Sequence, residues 1–360
     1  MNYAFPPPHA LNIFESMKSN YKLCVKNYKK NFKSLHWDVF PENYENIFND
    51  PNIWKTFLRN HISIGFNDAL LEVSNKRFTD GNDLYWGELK KNDDNLLNKN
   101  LTSHQKINEV IGVVNYLLSN IDPHFLINNL MPECGDPAIV SLEIENPDKT
   151  KLLLPVNSHD VVEIYYFYKF QRVLNELKKE KNPVIAEIGA GYGGMATKIK
   201  KNLNQAKYII FDLPEVNAVQ TYYLKNVFSD KKVLGYEEFL QSNDIMSEDF
   251  DFLILPGWEI TNFKKDCVNT FINMRSMMEM NFDIIEFYMK SIHTMSKVNS
   301  FFFNVNRYKK RDIKFSSYPY DKKWKVIDST NSNLQNHIHI LTTQRTKENQ
   351  NFNIKKHFEG

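Results

Sequence analysis

The sequence carries almost no net charge. Its 360 residues include 45 lysines and arginines against 43 aspartates and glutamates, which leaves a formal net charge of +2. Because the basic and acidic residues are almost equal in number, the net charge gives no reason to expect binding to a nucleic acid or to an anionic membrane surface. We therefore expect no nucleic-acid partner.

Cysteine is scarce. Cys24, Cys134 and Cys267 lie far apart and no CxxC pair occurs. An odd number of widely spaced thiols argues against a disulfide framework, and the lack of CxxC pairs argues against a structural zinc site. His337 and His339 alternate along a predicted strand and face the same side, but no third ligand is evident. We expect buried single thiols and no bound metal.

Long apolar runs are missing too. No stretch approaches the roughly 20 apolar residues that span a bilayer, so we expect no membrane span. The first residues, MNYAFPPPHALNIF, lack the basic start and apolar core of a signal peptide. We therefore expect a cytoplasmic protein. The length allows one large domain or two smaller ones.

Two regions of the chain differ in pattern. Residues 1–155 have helical spacing, with predicted helices at 51–62 and 102–120, and short strands and turns at 133–158. The strongest predicted helix is 158–182, which has a serine at its first position and a basic C-terminal end. We predict a mainly helical N-terminal region, for substrate binding, assembly or covering a cofactor.

From residue 184 onward, short apolar strands alternate with helices. The seven predicted strands are 184–188, 208–212, 251–255, 268–274, 300–306, 324–328 and 337–343. The predicted helices are 193–203, 215–228 and 281–296. This alternation indicates βαβ units and a parallel sheet covered on both faces. No helix separates the last two strands, which predicts an antiparallel hairpin. We predict a domain over 156–350 and a tail over 351–360.

A glycine-rich turn, AEIGAGYGGMAT, follows the first of these strands. Gly189, Gly191 and Gly194 fit the GxGxxG pattern, and Asp212 ends the next strand 23 residues after Gly189. Dinucleotide enzymes show the same features, and an aspartate at that strand end accepts hydrogen bonds from ribose hydroxyls. A tight turn that binds nothing is the plainer alternative.

Glu187 favours a cationic ligand over a dinucleotide. Its carboxylate, two residues before Gly189, would face a pyrophosphate at close range, which is electrostatically unfavourable. It suits the ammonium and sulfonium groups of S-adenosylmethionine. An NAD(P)-dependent sugar oxidoreductase is the alternative, but no YxxxK pattern follows the fourth strand.

The segments VIAEIGAGYGGMATKI and YIIFDLPEVNAVQTYYL resemble the first two motifs of Rossmann-like S-adenosylmethionine-dependent methyltransferases, and FDLPEV is similar to O-methyltransferases with a DLP motif. Over residues 130–345, the ordered set of motifs most resembles bacterial sugar O-methyltransferases. The matching positions are 135–137, 187–194, 212–216, Leu224, 276–280, Asn306, Arg307, Tyr318, Pro319 and Trp324. Arg275 and Met278 depart from that family's pattern, which leaves a non-catalytic methyltransferase-like subunit as a further alternative.

This resemblance implies an α/β fold, a Rossmann-like seven-stranded methyltransferase sheet with a mainly helical N-terminal domain, and S-adenosylmethionine as cofactor. In such a fold, Glu187 would bind the amino-acid end of S-adenosylmethionine, Asp212 would bind its ribose hydroxyls, and Leu213 would pack near its adenine. Asn273 and Met274 would lie below the sulfonium. The cofactor positions carried over are Glu187, Gly189, Gly191, Gly193, Asp212, Leu213, Pro256, Asn273 and Met274.

The implied reaction is O-methylation of a sugar hydroxyl, in a surface polysaccharide precursor or a secondary metabolite. The substrate is then a small molecule or a glycan. The sequence leaves the oligomeric state open, and a homo-oligomer is one of the alternatives. The segment RSMMEMNFD follows the fourth strand, at the edge where such sheets bind ligands.

Two ionisable groups in that segment are the predicted catalytic residues. Glu279 is predicted as the base or as an acceptor for a sugar hydroxyl, with helix capping as its alternative. Arg275 is predicted to bind an anionic part of the substrate, with a surface salt bridge as its alternative. Tyr318, Tyr320 and Trp324 are predicted to contact the sugar, with a core role as their alternative.

Overall fold

The computed structural model describes residues 10–29, 32–33, 54, 103–130, 140–145, 149, 151–156, 158–350 and 352–358. Cys134, the segment 135–137 and the predicted helix 51–62, apart from Trp54, lie outside this description. The chain divides into two units. The first comprises Met1–Glu15 and Val39–Lys169, and the second comprises Ser16–Asp38 and Phe170–Gly360.

The regular elements are numbered in chain order. The helices are α1 (Ala10–Lys26), α2 (Ser103–Asn120), α3 (Pro123–Asn129), α4 (Ser158–Leu177), α5 (Gly194–Asn202), α6 (Pro214–Val227), α7 (Tyr236–Gln241) and α8 (Phe282–Met295). The strands are β1 (Val140–Glu145), β2 (Lys151–Val156), β3 (Val184–Ile188), β4 (Lys207–Asp212), β5 (Val233–Leu234), β6 (Phe252–Pro256), β7 (Val268–Met274), β8 (Ser296–Arg307), β9 (Lys309–Lys310), β10 (Ile313–Lys314), β11 (Trp324–Asn331) and β12 (Ile338–Arg345).

The first unit contains helices and one hairpin. Helix α2 confirms the helix predicted over 102–120, and it buries Val114 and Leu117, which lie three residues apart on one face. Phe125 of α3 stacks on Phe167 of α4 with ring centroids 5.7 Å apart. Strands β1 and β2 pair antiparallel, which confirms the short strands predicted over 133–158.

Helix α4 begins at the predicted residue but ends at Leu177 rather than at residue 182. Pro183 accounts for Asn182 alone, because a residue that precedes proline is disfavoured in the helical region. The chain leaves the helix through a turn and a bend over 178–182 before entering β3.

The second unit is built on an eight-stranded sheet in the order β11-β12-β8-β7-β3-β4-β6-β5. All neighbouring pairs from β8 to β5 are parallel, whereas β12 runs antiparallel to both β8 and β11. The fold is thus the predicted Rossmann-like α/β sheet with its terminal antiparallel hairpin. The seven predicted strands are all present, and the eighth is the two-residue edge strand β5, which is too short to show a periodicity.

The sheet is buried on both faces, as a parallel sheet requires. Every residue of β3 and of β6 is buried. One continuous apolar cluster joins alternate positions of the strands, such as Ala186 and Phe211, to the inner side of α8, including Ile285 and Ile292. This packing fixes the strand ends that form the site described below.

Strand β3 is the point at which the strand order reverses. The chain passes from β3 to β4 on one side, and β7 later pairs with the other side of β3. Open α/β sheets bind ligands outside the carboxyl ends of the strands at such a switch point. No helix in the described part of the chain is long and apolar enough to cross a membrane.

Candidate functional site

The turn between β3 and α5 has a backbone conformation that favours glycine at three positions. Gly189, Gly191 and Gly193 have φ values of 68°, 59° and 102°, all in the region that side chains disfavour. At Gly189 a Cβ atom would lie 2.1 Å from the Oγ atom of Ser276. The backbone of the turn at Gly189 therefore packs directly against the Ser276 side chain.

Asp212 ends β4 beside this turn, and its carboxylate is held from two sides. Oδ1 accepts a hydrogen bond from the Leu213 amide (2.8 Å), and Oδ2 accepts one from Nε2 of Gln220 (2.7 Å). Burial, the dominant effect, raises the pKa of Asp212 from 3.8 to about 7, although these hydrogen bonds act in the opposite direction. The carboxyl group therefore titrates near neutral pH.

Gln220 ties the glycine turn to the end of β4. The same Nε2 group also donates to the carbonyl oxygen of Gly191 (2.9 Å), and Oε1 accepts a hydrogen bond from Asn217 (3.0 Å). Gln220 is fully buried in α6. Sequence reasoning missed this residue. The available signal was a glutamine among the apolar residues of the helix that follows the DLP motif.

Glu187 is almost completely buried, with 1% of its surface exposed. The hydroxyl group of Tyr208, on the neighbouring strand β4, donates to its Oε2 atom at 2.6 Å. A buried carboxylate is retained only where such partners stabilise it. Glu187 and Asp212 thus place two carboxyl groups on adjacent strands, one on either side of the glycine turn in sequence.

A network of buried amides joins the carboxyl ends of β3, β7 and β8. Nδ2 of Asn273 donates to the carbonyl of Ile188 (2.8 Å) and to Ser276 Oγ (2.5 Å). Nδ2 of Asn306 donates to Asn273 Oδ1 (2.9 Å), and Asn306 Oδ1 accepts from the Met278 amide (2.9 Å). These bonds hold the segment after β7 against the glycine turn.

The two predicted catalytic residues lie in that segment. Arg275 directly follows Met274, has a φ of 67°, and donates its backbone N–H to the Val305 carbonyl (2.7 Å). Oε1 of Glu279 accepts from Nζ of Lys310 at 3.1 Å, and the two side chains are only 11% and 10% exposed. The structure therefore brings Glu279 to the carboxyl edge of β7 as one partner of a nearly buried ion pair.

The three aromatic residues predicted to contact a sugar pack largely on the protein. Trp324 is fully buried, and Tyr318 packs on Phe315 with ring centroids 4.9 Å apart. Tyr320 is partly exposed, and its hydroxyl accepts a hydrogen bond from Asn304 Nδ2 at 2.9 Å. Of the three, Tyr320 is the one joined to the amide network, because Asn304 in turn accepts from Asn306.

Pro256 ends β6 directly beside Asp212, its partner in the strand register. At Gly257, the next residue, a Cβ atom would lie 1.9 Å from the hydroxyl oxygen of Tyr288. Burial raises the pKa of Tyr288, and the charge of Asp212 contributes to that increase. The Tyr288 hydroxyl therefore lies near both strand ends. Sequence reasoning missed it because Tyr288 reads as one more apolar position of α8.

Trp258 completes this end of the site as a buried wall. Its ring packs edge-on against Tyr28 and Phe32, with centroids 5.6 and 5.8 Å apart. These two rings come from the segment 16–38, which belongs to the second unit. An early part of the chain thus contributes to the surroundings of the β6 strand end.

Of the two histidines considered as metal ligands, His339 lies in β12, whereas His337 directly precedes this strand. His339 is buried, with Nδ1 3.0 Å from the Tyr308 hydroxyl and Nε2 2.9 Å from Ser329 Oγ. Burial lowers the pKa of His339 to about 4, so it is neutral at pH 7. Within the described ranges, no group of three or more His, Cys, Asp or Glu residues is arranged to hold a metal ion.

Replacing Gln220 by leucine is expected to lower the free energy of unfolding by about 1–3 kcal/mol, because a buried carbonyl and a buried carboxylate lose their donor. Urea denaturation of the purified chain measures this. Gln241, which is exposed at the end of α7, provides the matched control, and we expect Gln241→Leu to change stability by less than about 0.5 kcal/mol. Equal effects of the two substitutions would contradict the bridging role.

No protein-family model and no curated protein matches the chain. Among solved structures, mitomycin 7-O-methyltransferase is 9% identical, with 70% of this chain and 71% of that chain covered and a TM-score of 0.31. Magnesium protoporphyrin IX methyltransferase of Synechocystis PCC 6803, with bound S-adenosylmethionine, is 7% identical over 51% and 82% of the two chains, with a TM-score of 0.34.

Human N-acetylserotonin methyltransferase, in complex with S-adenosylmethionine, is 10% identical over 52% of this chain and 54% of that chain, with a TM-score of 0.32. These structural neighbours are methyltransferases, two of them solved with S-adenosylmethionine. Such low identities and TM-scores carry no argument about this chain. Its fold class therefore rests on its own strand order and register.

Proposed function

We propose that this protein is an S-adenosylmethionine-dependent O-methyltransferase that acts on a sugar hydroxyl. One observation carries the proposal: a turn of positive-φ glycines lies at the switch point of the sheet, with the buried Glu187 before it and Asp212 on the next strand. The Glu187 carboxylate disfavours a pyrophosphate and favours a ligand with a cationic end. Glu187 would hold the amino-acid end, and Asp212 the ribose hydroxyls.

The neighbouring residues fit the remainder of such a cofactor. Leu213 and Pro256 would contact the adenine, and Asn273 and Met274 would lie below the sulfur. The Tyr288 hydroxyl, close to Asp212, is a further candidate contact for the ribose. When bound, S-adenosylmethionine supplies an electrophilic methyl group.

Around the acceptor, the protein's role is to position a hydroxyl group and to receive its proton. Glu279 is the proposed base, because its carboxylate lies at the carboxyl edge of β7 and can accept a proton as the oxygen forms its new bond to carbon. The Lys310 ammonium would keep that carboxylate oriented before reaction. Arg275 would hold an anionic part of the acceptor, and Tyr320 would contact the sugar ring.

The sugar acceptor, from polysaccharide or secondary-metabolite synthesis, rests on the motif resemblance. A cytoplasmic location and a division into an N-terminal region (1–155), a methyltransferase domain (156–350) and a tail are further parts of the proposal. A non-catalytic subunit would share the cofactor site and would lack methyl transfer.

Calorimetric titration of the full chain with S-adenosylhomocysteine and, separately, with NAD tests the class of ligand. We expect S-adenosylhomocysteine to bind and NAD to give no heat of binding. Binding of NAD alone would instead support the oxidoreductase alternative, for which the GxGxxG spacing is the favourable observation.

A further inference from the structure

A strongly basic hairpin lies beside the proposed methyl-transfer site. The segment 307–314, here called the basic hairpin, contains five basic residues and one acidic residue, in a chain whose net charge is only +2. The basic residues are Arg307, Lys309, Lys310, Arg311 and Lys314. The hairpin consists of β9 and β10, which pair antiparallel.

The hairpin register brings like charges together. Lys309 and Lys314 are directly opposite each other in the β9–β10 pair, and both are exposed, as is Arg311 at the tip. Like charges directly opposite on adjacent strands destabilise a hairpin. An anion bound between these side chains would relieve that repulsion, so the arrangement points to an anionic ligand.

The position of the hairpin links this charge to the site. Its Lys310 forms the ion pair with Glu279, the proposed base, and Arg307 ends β8 beside the amide network. Arg275, at the end of the adjacent strand β7, adds another cation at the same edge.

Lys309 and Lys310 point to opposite faces of the hairpin, because successive side chains of a strand alternate. An acceptor whose hydroxyl lies near Glu279 would therefore extend past the tip, where Arg311 lies, to place its anionic part beside Lys309 and Lys314.

We propose that the basic hairpin binds the phosphate groups of the acceptor, which is then a sugar carried on a phosphate or pyrophosphate. Arginine and lysine side chains recognise phosphate oxygens through charge-assisted hydrogen bonds. The inference deepens the proposed methyltransferase function and rests on it. A nucleotide and a lipid carrier would present the same pyrophosphate to the hairpin.

The test is calorimetric titration of the full chain, at constant ionic strength, with inorganic pyrophosphate and with uridine diphosphate. The hairpin variant combines Lys309→Gln and Arg311→Gln. The control variant combines Lys322→Gln and Lys323→Gln, two exposed adjacent lysines that precede β11 near the opposite edge of the sheet. Each protein is also titrated with S-adenosylhomocysteine.

We expect pyrophosphate to bind the wild type and the control variant equally, and to bind the hairpin variant about three- to tenfold more weakly. S-adenosylhomocysteine affinity should be the same in all three. Tighter binding of uridine diphosphate than of pyrophosphate supports a nucleotide-linked acceptor, and equal binding shows that the protein recognises the pyrophosphate without contacting the uridine.

Failure of pyrophosphate to bind the wild type, or an equal loss of affinity in the control variant, overturns the proposal. Failure of S-adenosylhomocysteine to bind the wild type is a separate outcome, which would overturn the proposed methyltransferase function itself. The two failures are therefore distinguished within one set of titrations.

Discussion

Replacing Glu279 by glutamine is expected to lower kcat for methyl transfer by about 10²–10⁴-fold, the contribution typical of a positioned general base. The amide that replaces the carboxylate cannot accept the acceptor's proton. The affinity for S-adenosylhomocysteine should stay unchanged. The measurement is the transfer of labelled methyl groups to whichever free, phosphorylated or nucleotide-linked sugar the wild type methylates.

The ion pair with Lys310 calls for a second variant. Removing one partner of a nearly buried pair leaves the other charge uncompensated, which alone can destabilise a protein by about 3–5 kcal/mol. In the double variant Glu279→Gln/Lys310→Met that charge is absent. If Glu279 is the base, the double variant stays inactive even where stability returns.

Glu286→Gln provides the matched control, since Glu286 is an exposed carboxylate on the neighbouring helix α8. We expect it to keep wild-type turnover. An unchanged kcat in Glu279→Gln, or recovery of activity in the double variant, would remove Glu279 from the base role and leave the cofactor site intact.

Gly189→Ala is expected to lower the free energy of unfolding by about 2–5 kcal/mol. A left-handed backbone costs an L-residue about 1–2 kcal/mol, and the forced displacement of packed atoms adds about 1–3 kcal/mol. The new methyl group would meet Ser276, whose Oγ and Cβ atoms lie 2.1 and 2.3 Å from its position. Urea denaturation measures the loss.

A double-mutant cycle with Ser276→Gly separates the two contributions. Ser276→Gly removes the atoms that the alanine meets, so the double variant should recover the steric part, about 1–3 kcal/mol, and keep the backbone cost. Strictly additive effects would show that Gly189 and Ser276 are not in contact. The glycine turn would then pack less tightly against the segment after β7.

The fold was largely predictable because apolar periodicity and turn residues are local signals. The seven long strands and the helices between them follow from stretches such as VIAEI and YIIFD, whose apolar residues are all buried. The edge strand Val233–Leu234 has two residues and no period to detect. Helix α4 ends at Leu177, before the basic run 178–181. The prediction included that run because basic residues are typical of the C-terminal end of a helix.

Residues of the candidate site could be selected from the sequence only where the residue type and its position after a strand suggest a function. The glycines, Glu187 and Asp212 stand out beside their strands. Gln220 and Tyr288 do not, because their roles arise from contacts with residues 8 and more positions away, which only the packing of α6 and α8 brings about. The amide network of Asn273 and Asn306 likewise joins strands 33 residues apart in sequence.

The pKa of Asp212 provides the most direct test of where the cofactor binds. Ionised, the carboxylate accepts hydrogen bonds from ribose hydroxyls. Its pKa of about 7 in the free protein means that protonation competes with binding below neutral pH. The same pKa shift has the opposite effect on the free energy of unfolding. Because the pKa is raised on folding, this group makes the folded protein less stable as the pH rises from 3.8 to about 7.

The decisive measurement is the dissociation constant of S-adenosylhomocysteine from pH 5.5 to 8.5 for the wild type, Asp212→Asn and Asp249→Asn, the last an exposed aspartate before β6. We predict that wild type and Asp249→Asn bind more tightly as the pH rises through about 7, by up to about tenfold per pH unit below the pKa. Asp212→Asn should bind weakly, without that dependence. Equal affinities and equal pH profiles for all three proteins would contradict the assignment of this strand end as the cofactor site.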